Sequence, residues 1–597
     1  MELMGTYKRL TLALGLALAA GMAAAQQRVV EVTTPGSLPT LITESEKYTI
    51  TDLKVTGEIN GTDVTLLRDM GGAKNINTKT DGQLQRLDLS EARIVAGGDA
   101  YFNWAGMAFR TADDVMGSYM FLYASKIKSL KLPPAITAIG DQVFGSLVDL
   151  EEIEIPAGVK SIGVGCFINC NTIKSITLPD AVETLGTGCF QRMESLREVY
   201  FGDGLRELDN SVFLNDNALE KVHLGRNLQT FHPVVFYTLP AFHDFSCSEE
   251  SPYYKAVDGV LMSRDGGTLV SYPCAREETT YEIPAGVHAL GSHAFCNATS
   301  LERMTVPAGV EAVSEACFDG CQSLTEVTLG DGVKTICEGA FSGCIALERL
   351  SLPRTVETVE GGAFLECISL TDITVDASSQ NLKVEDGALL SRDGGRLICL
   401  PAGLSGADYV LPTSVHTLEP YSMATHSTLR EVYIPEHVTT VGDNAFYACE
   451  QLEECVFSEK VETIGETVFY GSDKMDRVYF LSTTPPANVA EYALYNDRLI
   501  DEGTLYVPAA AKSAYTAKQW VVEREFGESM NVVANIVGMT DEEVAALKAR
   551  VTGIDAVGRP DSLQSDRCYD LQGRQVVGSS SRQQKGVYVV GARKVLK

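Results

Sequence analysis

Apolar residues recur along this chain at a strict spacing of 23. The series Ile127, Leu150, Ile173, Leu196, Leu219 and Phe242 keeps that step throughout, as do Leu301, Leu324, Leu347 and Leu370, then Leu429, Leu452 and Met475, marking thirteen units. A second ladder keeps the same phase: Phe144, Phe167, Phe190, Phe213 and Phe236; Phe295, Phe318, Phe341 and Phe364; Met423, Phe446 and Phe469. Inside the unit that starts at Leu150, alternation predicts a short strand with Ile153 and Ile155 inward and Glu152 and Glu154 outward. Pro156 and Gly158 then turn the chain, and Val159, Ile162 and Phe167 carry the buried line on to Ile173. One such unit cannot bury its apolar edge alone, so neighbours must stack and share a core.

Leu150-x-x-Ile153-x-Ile155 at this period is the strand signature of a leucine-rich repeat. The expected fold is therefore a leucine-rich repeat solenoid, a right-handed superhelix that is mainly β with short turns and helical pieces. The ladder breaks twice, from Phe236 to Phe295 and from Phe364 to Met423, and both gaps have the same length, well beyond one period. The two inserts, near 250–282 and 378–410, are copies: Asp258–Gly267 matches Asp386–Gly395. Apolar runs on either side of Asp-Gly-Gly predict a hairpin in each. The offset between the two copies is one such gap plus three whole periods, so a larger block was duplicated.

The flanks differ from the repeats. Met1 to Ala25 carries Lys8 and Arg9, an apolar run and Ala23-Ala24-Ala25, the pattern of a secretory signal peptide. Residues 26–120 hold Leu84-x-x-Leu87-x-Leu89, one strand signature out of phase with the ladder, and are expected to cap the N-terminal end of the core. The repeats occupy 121–482. Residues 483–550 are expected to form the C-terminal cap, with Thr540 and Glu543 at capping-box spacing before a short helix running to about Arg550. Residues 551–597 read as a polar linker and then a small β segment.

Composition narrows the function. Lys and Arg total 49 against 79 Asp and Glu, a net charge of -30, which argues against a nucleic-acid partner because phosphate binding draws on clustered cations. Beyond the leader no stretch reaches the roughly 18 apolar residues of a spanning helix. The 15 Cys are odd in number and tied to the repeat: Cys170, Cys321, Cys344, Cys367 and Cys449 each follow a Phe by three, and Cys166, Cys189 and Cys317 each precede one. That placement predicts free, buried, packed thiols and not disulfides or a metal site. The eight His fall in no metal or catalytic motif, and His288 and His416 share one repeat position, so they are expected to be structural. No catalytic residue, cofactor or metal ligand is expected.

If the solenoid surface carries the function, its strands say where. The outward position two residues after each unit's first apolar residue is mainly charged: Glu152, Glu198, Lys221, Arg303, Glu326, Arg349, Asp372, Glu431, Glu454 and Arg477. The position four residues on is different in character: Thr177, Tyr200, His223, Thr305, Thr328, Ser351, Thr374, Tyr433 and Tyr479. These nine are the candidate partner-contact row, Tyr being a frequent interface anchor. Thr and Tyr also suit exposed strands through propensity alone.

The unit Leu150 to Cys170, with its Pro-Ala-Gly-Val turn, Gly163 and Phe167, resembles the BspA-type leucine-rich repeat of exported proteins from anaerobic Bacteroidetes-like bacteria. The Asp-Gly hairpin is similar to one in that family. The resemblance implies a secreted or cell-surface (outer-membrane) protein, adhesin-like and monomeric, that binds another protein or a cell surface, such as host matrix fibronectin or fibrinogen. The competing expectation is a structural or scaffolding envelope protein without a specific host ligand. The last residues, with Tyr569–Val577 and Gly586–Val590, look like a shortened sorting segment of the type IX outer-membrane route; a plain terminal β-hairpin is the alternative.

Overall fold

The computed structural model describes residues 27–76, 78–232, 234–404, 411–518, 521–523, 529–531 and 533–553, and four short strands, Cys568–Tyr569, Gln575–Val576, Val587–Val590 and Arg593–Leu596. The leader segment 1–25 and most of the linker after 551 lie outside the described residues. The chain divides into two compact units. Unit 1 holds residues up to 301 together with 317–321; unit 2 holds 302–316 and everything from 322 onward.

Each unit is a β-solenoid in which one repeat makes one coil. A coil gives a strand of three or four residues to one parallel sheet and a two-residue strand to another. In unit 1, Ser175–Thr177, Glu198–Tyr200 and Lys221–Leu224 pair in parallel, with Ile176, Val199 and Val222 abreast. The second sheet sets Ile139, Ile162 and Leu185 abreast in the same way. In unit 2, Val327, Leu350 and Ile373 align in the first sheet and Ile336 and Val359 in the second. The sequence period is thus the register of both ladders, and it places like residues on like. The Phe rings follow: Phe144, Phe167, Phe190 and Phe213 stack in sequence at 5.1, 5.8 and 5.9 Å. In unit 2, Phe341 stacks on Phe364 and Phe446 on Phe469, both at 5.9 Å.

The inserts are more elaborate than the single hairpin the sequence predicts. In unit 1, Tyr254–Val257, Val260–Ser263 and Thr268–Ser271 form an antiparallel meander, and the last strand pairs in parallel with Ala289–Leu290. Unit 2 repeats this with Leu382–Glu385, Ala388–Ser391, Arg396–Cys399 and Thr417–Leu418. The extra hairpin comes from the first Asp-Gly pair. Asp258 and Gly259 both have positive φ, 49° and 78°, and Asp386 and Gly387 match them at 49° and 82°. Two positive φ values in a two-residue loop make the turn that suits strand twist. The following Asp-Gly-Gly loop explains the paired histidines: His288 N donates to Gly267 O and His416 N to Gly395 O, both at 2.8 Å.

The residues before the first regular repeat join the ladder directly. Arg28–Val32, Asp52–Ile59 and Arg86–Ile94 are parallel neighbours, and Leu87 pairs with Leu130 of the first regular repeat. The phase slip seen in the sequence is taken up by a β-hairpin, Gly97–Trp104 with Met107–Thr111. Helix α1 (Gly61–Met70) covers this end. Its first turn is held by Asp63, whose buried carboxylate accepts from Asn60, Gly36 and Leu38 N–H groups at 2.9, 2.6 and 2.8 Å. Arg68, also buried, donates to the carbonyls of Tyr119 and Met120 and lies over the Phe102 ring. At the other end, Thr504–Pro508 continues the sheet between Arg477–Phe480 and Asn535–Met539. Helix α2 (Asp541–Gly553) follows, and Thr540 and Glu543 cap it reciprocally as the sequence predicts. The four terminal strands pair antiparallel, Cys568–Tyr569 lying between Gln575–Val576 and Val587–Val590.

Among the described residues the recurrent thiols form no disulfide, and most are buried. They do more than fill space. Cys170 Sγ donates to the Phe144 carbonyl and Cys321 Sγ to that of Phe295, both at 3.1 Å and 26 residues back. In unit 2, Cys367 and Cys449 reach Phe341 O and Met423 O at 3.0 and 3.2 Å. Other residues at this register serve the same carbonyl: Ser472 Oγ bonds Phe446 O at 2.8 Å, and His426 Nε2 lies 3.0 Å from Leu400 O. Position 170 and several of its equivalents therefore form a donor register, which gives a carbonyl turned into the core a side-chain partner, although Met193 and Leu239 share the position without a donor.

Candidate binding face

The nine candidate residues fall into three settings. In unit 1, Thr177 and Tyr200 are exposed, Tyr200 at 42%, and His223 is half-buried. The Tyr200 and His223 rings stack at 5.9 Å and 29°. Tyr200 Oη donates to Glu198 at 3.1 Å, which holds its proton more tightly. His223 Nδ1 lies 2.9 Å from Ser246 Oγ, and burial lowers the imidazole below its ordinary value. This stretch presents a paired aromatic edge between charged residues.

In unit 2, Thr305, Thr328, Ser351 and Thr374 are all exposed. They form a hydroxyl row on adjacent parallel strands, flanked by Arg303, Glu326, Arg349 and Asp372, each also exposed.

Further along unit 2 the row changes. Tyr433 and Tyr479 are only half-exposed, Val456 between them is fully buried, and Tyr506 extends the line. Helix α2 lies across them. Val544, Leu547 and Val551 make its apolar stripe and pack on Val456, Leu481, Met539 and the three tyrosines, in a cluster separate from the solenoid core. The edges are polar: Arg550 Nη1 donates to Tyr433 Oη at 2.8 Å, and Lys548 Nζ to Glu459 at 2.7 Å. Tyr479 stacks on Tyr506 at 4.5 Å and 12°. Burial is the main reason that Tyr433 and Tyr479 are both pushed up to about 12. Glu454, expected outward with the charged row, is buried instead and pairs with Arg477 Nε at 3.2 Å. An arginine at that distance makes such burial tolerable.

The sequence held a signal for this covered stretch. Val456 stands in a row whose other members are all polar or Tyr, from Lys131 and Glu154 to Tyr479, and Val544, Leu547 and Val551 have helical spacing. A second row went unnoticed. Tyr447, Tyr470 and Tyr495 stack in turn at 6.0 and 6.2 Å, the first two each directly after a ladder Phe. Among the described residues no helix is long and apolar enough to cross a membrane.

Coils in strict register, two parallel ladders and an outward strand row define a leucine-rich repeat solenoid. The sequence profile of the BspA type leucine-rich repeat region matches in six copies over residues 114–242, 272–386 and 405–502. The match spans more than half of the chain, and the protein belongs to that family. No curated protein matches. Solved structures that resemble it include a leucine-rich cell surface protein from Faecalibacterium prausnitzii, 20% identical over 65% of this chain and 85% of that one, with a TM-score of 0.37. A leucine-rich repeat protein from Bacteroides ovatus is 20% identical over 62% and 76%, TM-score 0.31. The pneumococcal vaccine antigen PcpA is 16% identical over 72% and 86%, TM-score 0.34.

Proposed function

We propose that this is an exported, secreted or surface-displayed protein that binds a protein partner along its strand face, in the manner of an adhesin, without catalysis. One observation carries the reading: the strand face of unit 2 already holds a polypeptide, helix α2, by an apolar stripe rimmed with an Arg–Tyr bond and a Lys–Glu pair. A surface that seats one amphipathic segment has the chemistry to seat others. The exposed remainder of the row supplies the contacts: Thr177, Tyr200 and His223 on unit 1, and Thr305, Thr328, Ser351 and Thr374 on unit 2. The targets that fit are extracellular-matrix proteins or proteins on another cell. Export rests on the leader-like N-terminus and the family's surface character, and the terminal strands would serve as the sorting segment.

The test is binding of the chain from residue 26 to immobilised fibronectin, fibrinogen and intact cells. Saturable binding that falls at least about tenfold with Tyr200→Ala and His223→Ala together, at unchanged thermal stability, supports the reading. Absence of saturable binding to any of them would leave the scaffolding role in its place.

A further inference from the structure

The last three coils of unit 2 carry a surface that no other coil repeats. Tyr447, Tyr470 and Tyr495 stack at 6.0 and 6.2 Å on the turns that lead from the second sheet to the next strand of the first. Tyr421 meets the first of these rings edge-on at 5.8 Å, and Tyr492 meets the last at 6.3 Å. Both faces of Tyr470 are covered by its neighbours, yet 47% of the residue is exposed, so the strip turns ring edges and phenol groups outward.

Exposed carboxylates border the strip on both sides. Asp443, Glu466 and Glu491 each stand shortly before their tyrosine, and Glu450, Asp473 and Asp497 shortly after it. The coils that carry them are in register. Asp443 Oδ1 accepts the Glu466 N–H at 2.7 Å, and Asn444 N and Thr467 N donate to Glu466 O and Tyr492 O at 2.8 and 3.0 Å. Neighbouring strands of a sheet lie about 4.8 Å apart, inside the ~8 Å over which physiological salt screens charge, so each acidic column repels itself. The cations at hand are engaged: Lys474 Nζ donates to Gln451 at 2.6 Å, and Arg498 pairs with Asp476 and Glu502 at 3.7 and 3.5 Å. In unit 1 the tyrosine positions hold Ile168, Gln191 and Leu214, and the flanking positions are mostly neutral, as at Val164, Asn171 and Thr187. Neither the aromatic row nor its acidic borders are therefore requirements of the coil.

Like charges on neighbouring strands cost stability, and the rings they border are partly in water, so packing alone does not account for the arrangement. Apolar stems with cationic tips would relieve the repulsion and cover the ring edges together. We propose that the strip binds an extended, arginine- and lysine-rich segment of the protein partner. The side-chain stems lie across the tyrosine edges, and the cations pair with the carboxylates on either side, arginine better than lysine because its planar fork matches a carboxylate. At ~3.3 Å per residue, about four or five extended residues span the three coils. This rests on the partner-binding reading above and deepens it, adding a surface apart from the strand row and stating the charge of the segment it takes.

The probe is a fluorescein-labelled peptide of alternating glycine and arginine, about eight residues long so that it overhangs the strip at both ends. It is titrated into the full chain and followed by fluorescence anisotropy, with the citrulline peptide as its neutral isostere. Saturable binding of the arginine peptide is expected, weakening as salt rises, with no binding of the citrulline peptide over the same range. A chain of net charge -30 attracts any cationic peptide, so the place of binding is read from variants. Glu450→Gln, Glu466→Gln and Asp473→Asn together should weaken binding at least about fivefold. Asp149→Asn, Glu151→Gln and Glu152→Gln in unit 1, an equal change of charge on exposed residues, should weaken it less than about twofold. Tyr470→Ser, which leaves the charge unchanged, should weaken it roughly threefold. Absence of saturable binding, equal losses from the two triple variants, or full affinity with Tyr470→Ser would overturn the proposal. All the substituted carboxylates are exposed, so the two triple variants decide the matter if Tyr470→Ser does not fold. Neither outcome touches the strand-face test, which reads binding to matrix proteins through Tyr200 and His223.

Discussion

Arg550 Nη1 donates to Tyr433 Oη across 117 residues of sequence, and this bond marks where helix α2 closes over the strand face. The helix is held by few residues. Val551→Asp should release it, with a loss on the order of 1.5–3 kcal/mol for one buried apolar side chain, while the coils beneath stay folded. Limited proteolysis is the measurement: cleavage near α2 should accelerate while the repeat fragment remains intact. If the whole chain were digested at the same rate, α2 would be part of the core and not a cover.

The donor register predicts opposite outcomes for two small changes at one site. Cys170→Ser keeps a donor for the Phe144 carbonyl, as Ser472 does for Phe446, and should be tolerated. Cys170→Ala removes that donor and leaves the Phe144 carbonyl with the Leu147 N–H alone, at a cost of about 0.5–1.5 kcal/mol. Chemical denaturation of the two variants side by side distinguishes a donor from a filler, because a filler would make Ala and Ser alike.

The same thiols should be silent to reagents in the folded chain. Burial pushes Cys170 and Cys449 up to about 12, so the reactive thiolate is scarce at neutral pH. Thiol titration with a chromogenic disulfide at mildly alkaline pH should label few cysteines before unfolding and the buried ones only afterwards. Rapid native labelling of Cys170 would contradict this.

Asp216 occupies the donor register in unit 1, fully buried, with Oδ1 accepting from Met193 N at 2.6 Å. Burial raises its carboxyl to about 8. The unfolded chain releases this proton near pH 4 and the folded chain near 8, so the stabilising contribution is whole below about 4 and is lost as pH rises through 8. His426, at the equivalent place in unit 2, is lowered to about 4 by burial. Its contribution is whole above about 6.5 and is lost as pH falls through 4. Thermal melts from about pH 4 to about pH 9 should therefore show Asp216→Asn stabilising on the alkaline side and His426→Cys on the acid side. A pH-independent effect of either variant would refute its assignment.

Ladder rings carry the stack. Phe190 is buried between Phe167 and Phe213. Phe190→Ala should cost about 3–5 kcal/mol, measured by denaturant unfolding of the purified chain, with an effect well below that for the exposed Leu214→Ala one coil on.

How much of this could be read from sequence depends on distance along the chain. The coils were legible because register and period are the same number: whatever recurs at the repeat spacing touches its own kind, as Asn169 does Ser146 and Thr467 does Asn444. Strand polarity at Thr305 or Tyr200 was legible for the same reason. The cover over Tyr433 and Tyr479 was not, because α2 reaches them from outside the repeat, and in sequence those tyrosines look like Tyr200. The second hairpin of each insert was missed because Asp258-Gly259 follows a strand of mixed polarity, where alternation gives little signal.

Where a side chain bonds a Phe carbonyl of the ladder, as at Phe144, Phe295 and Phe341, the donor comes from the coil that follows it. Removing or adding one whole repeat therefore keeps the spacing of carbonyl and register residue and leaves each ring with a ring to lie on. Misaligned recombination between such segments of the gene yields products that already satisfy the polar rules of the core. Shifts of any other length break the register of both ladders. The architecture thus lets reach vary in discrete steps over evolutionary time, while filtering out the frames that would not fold.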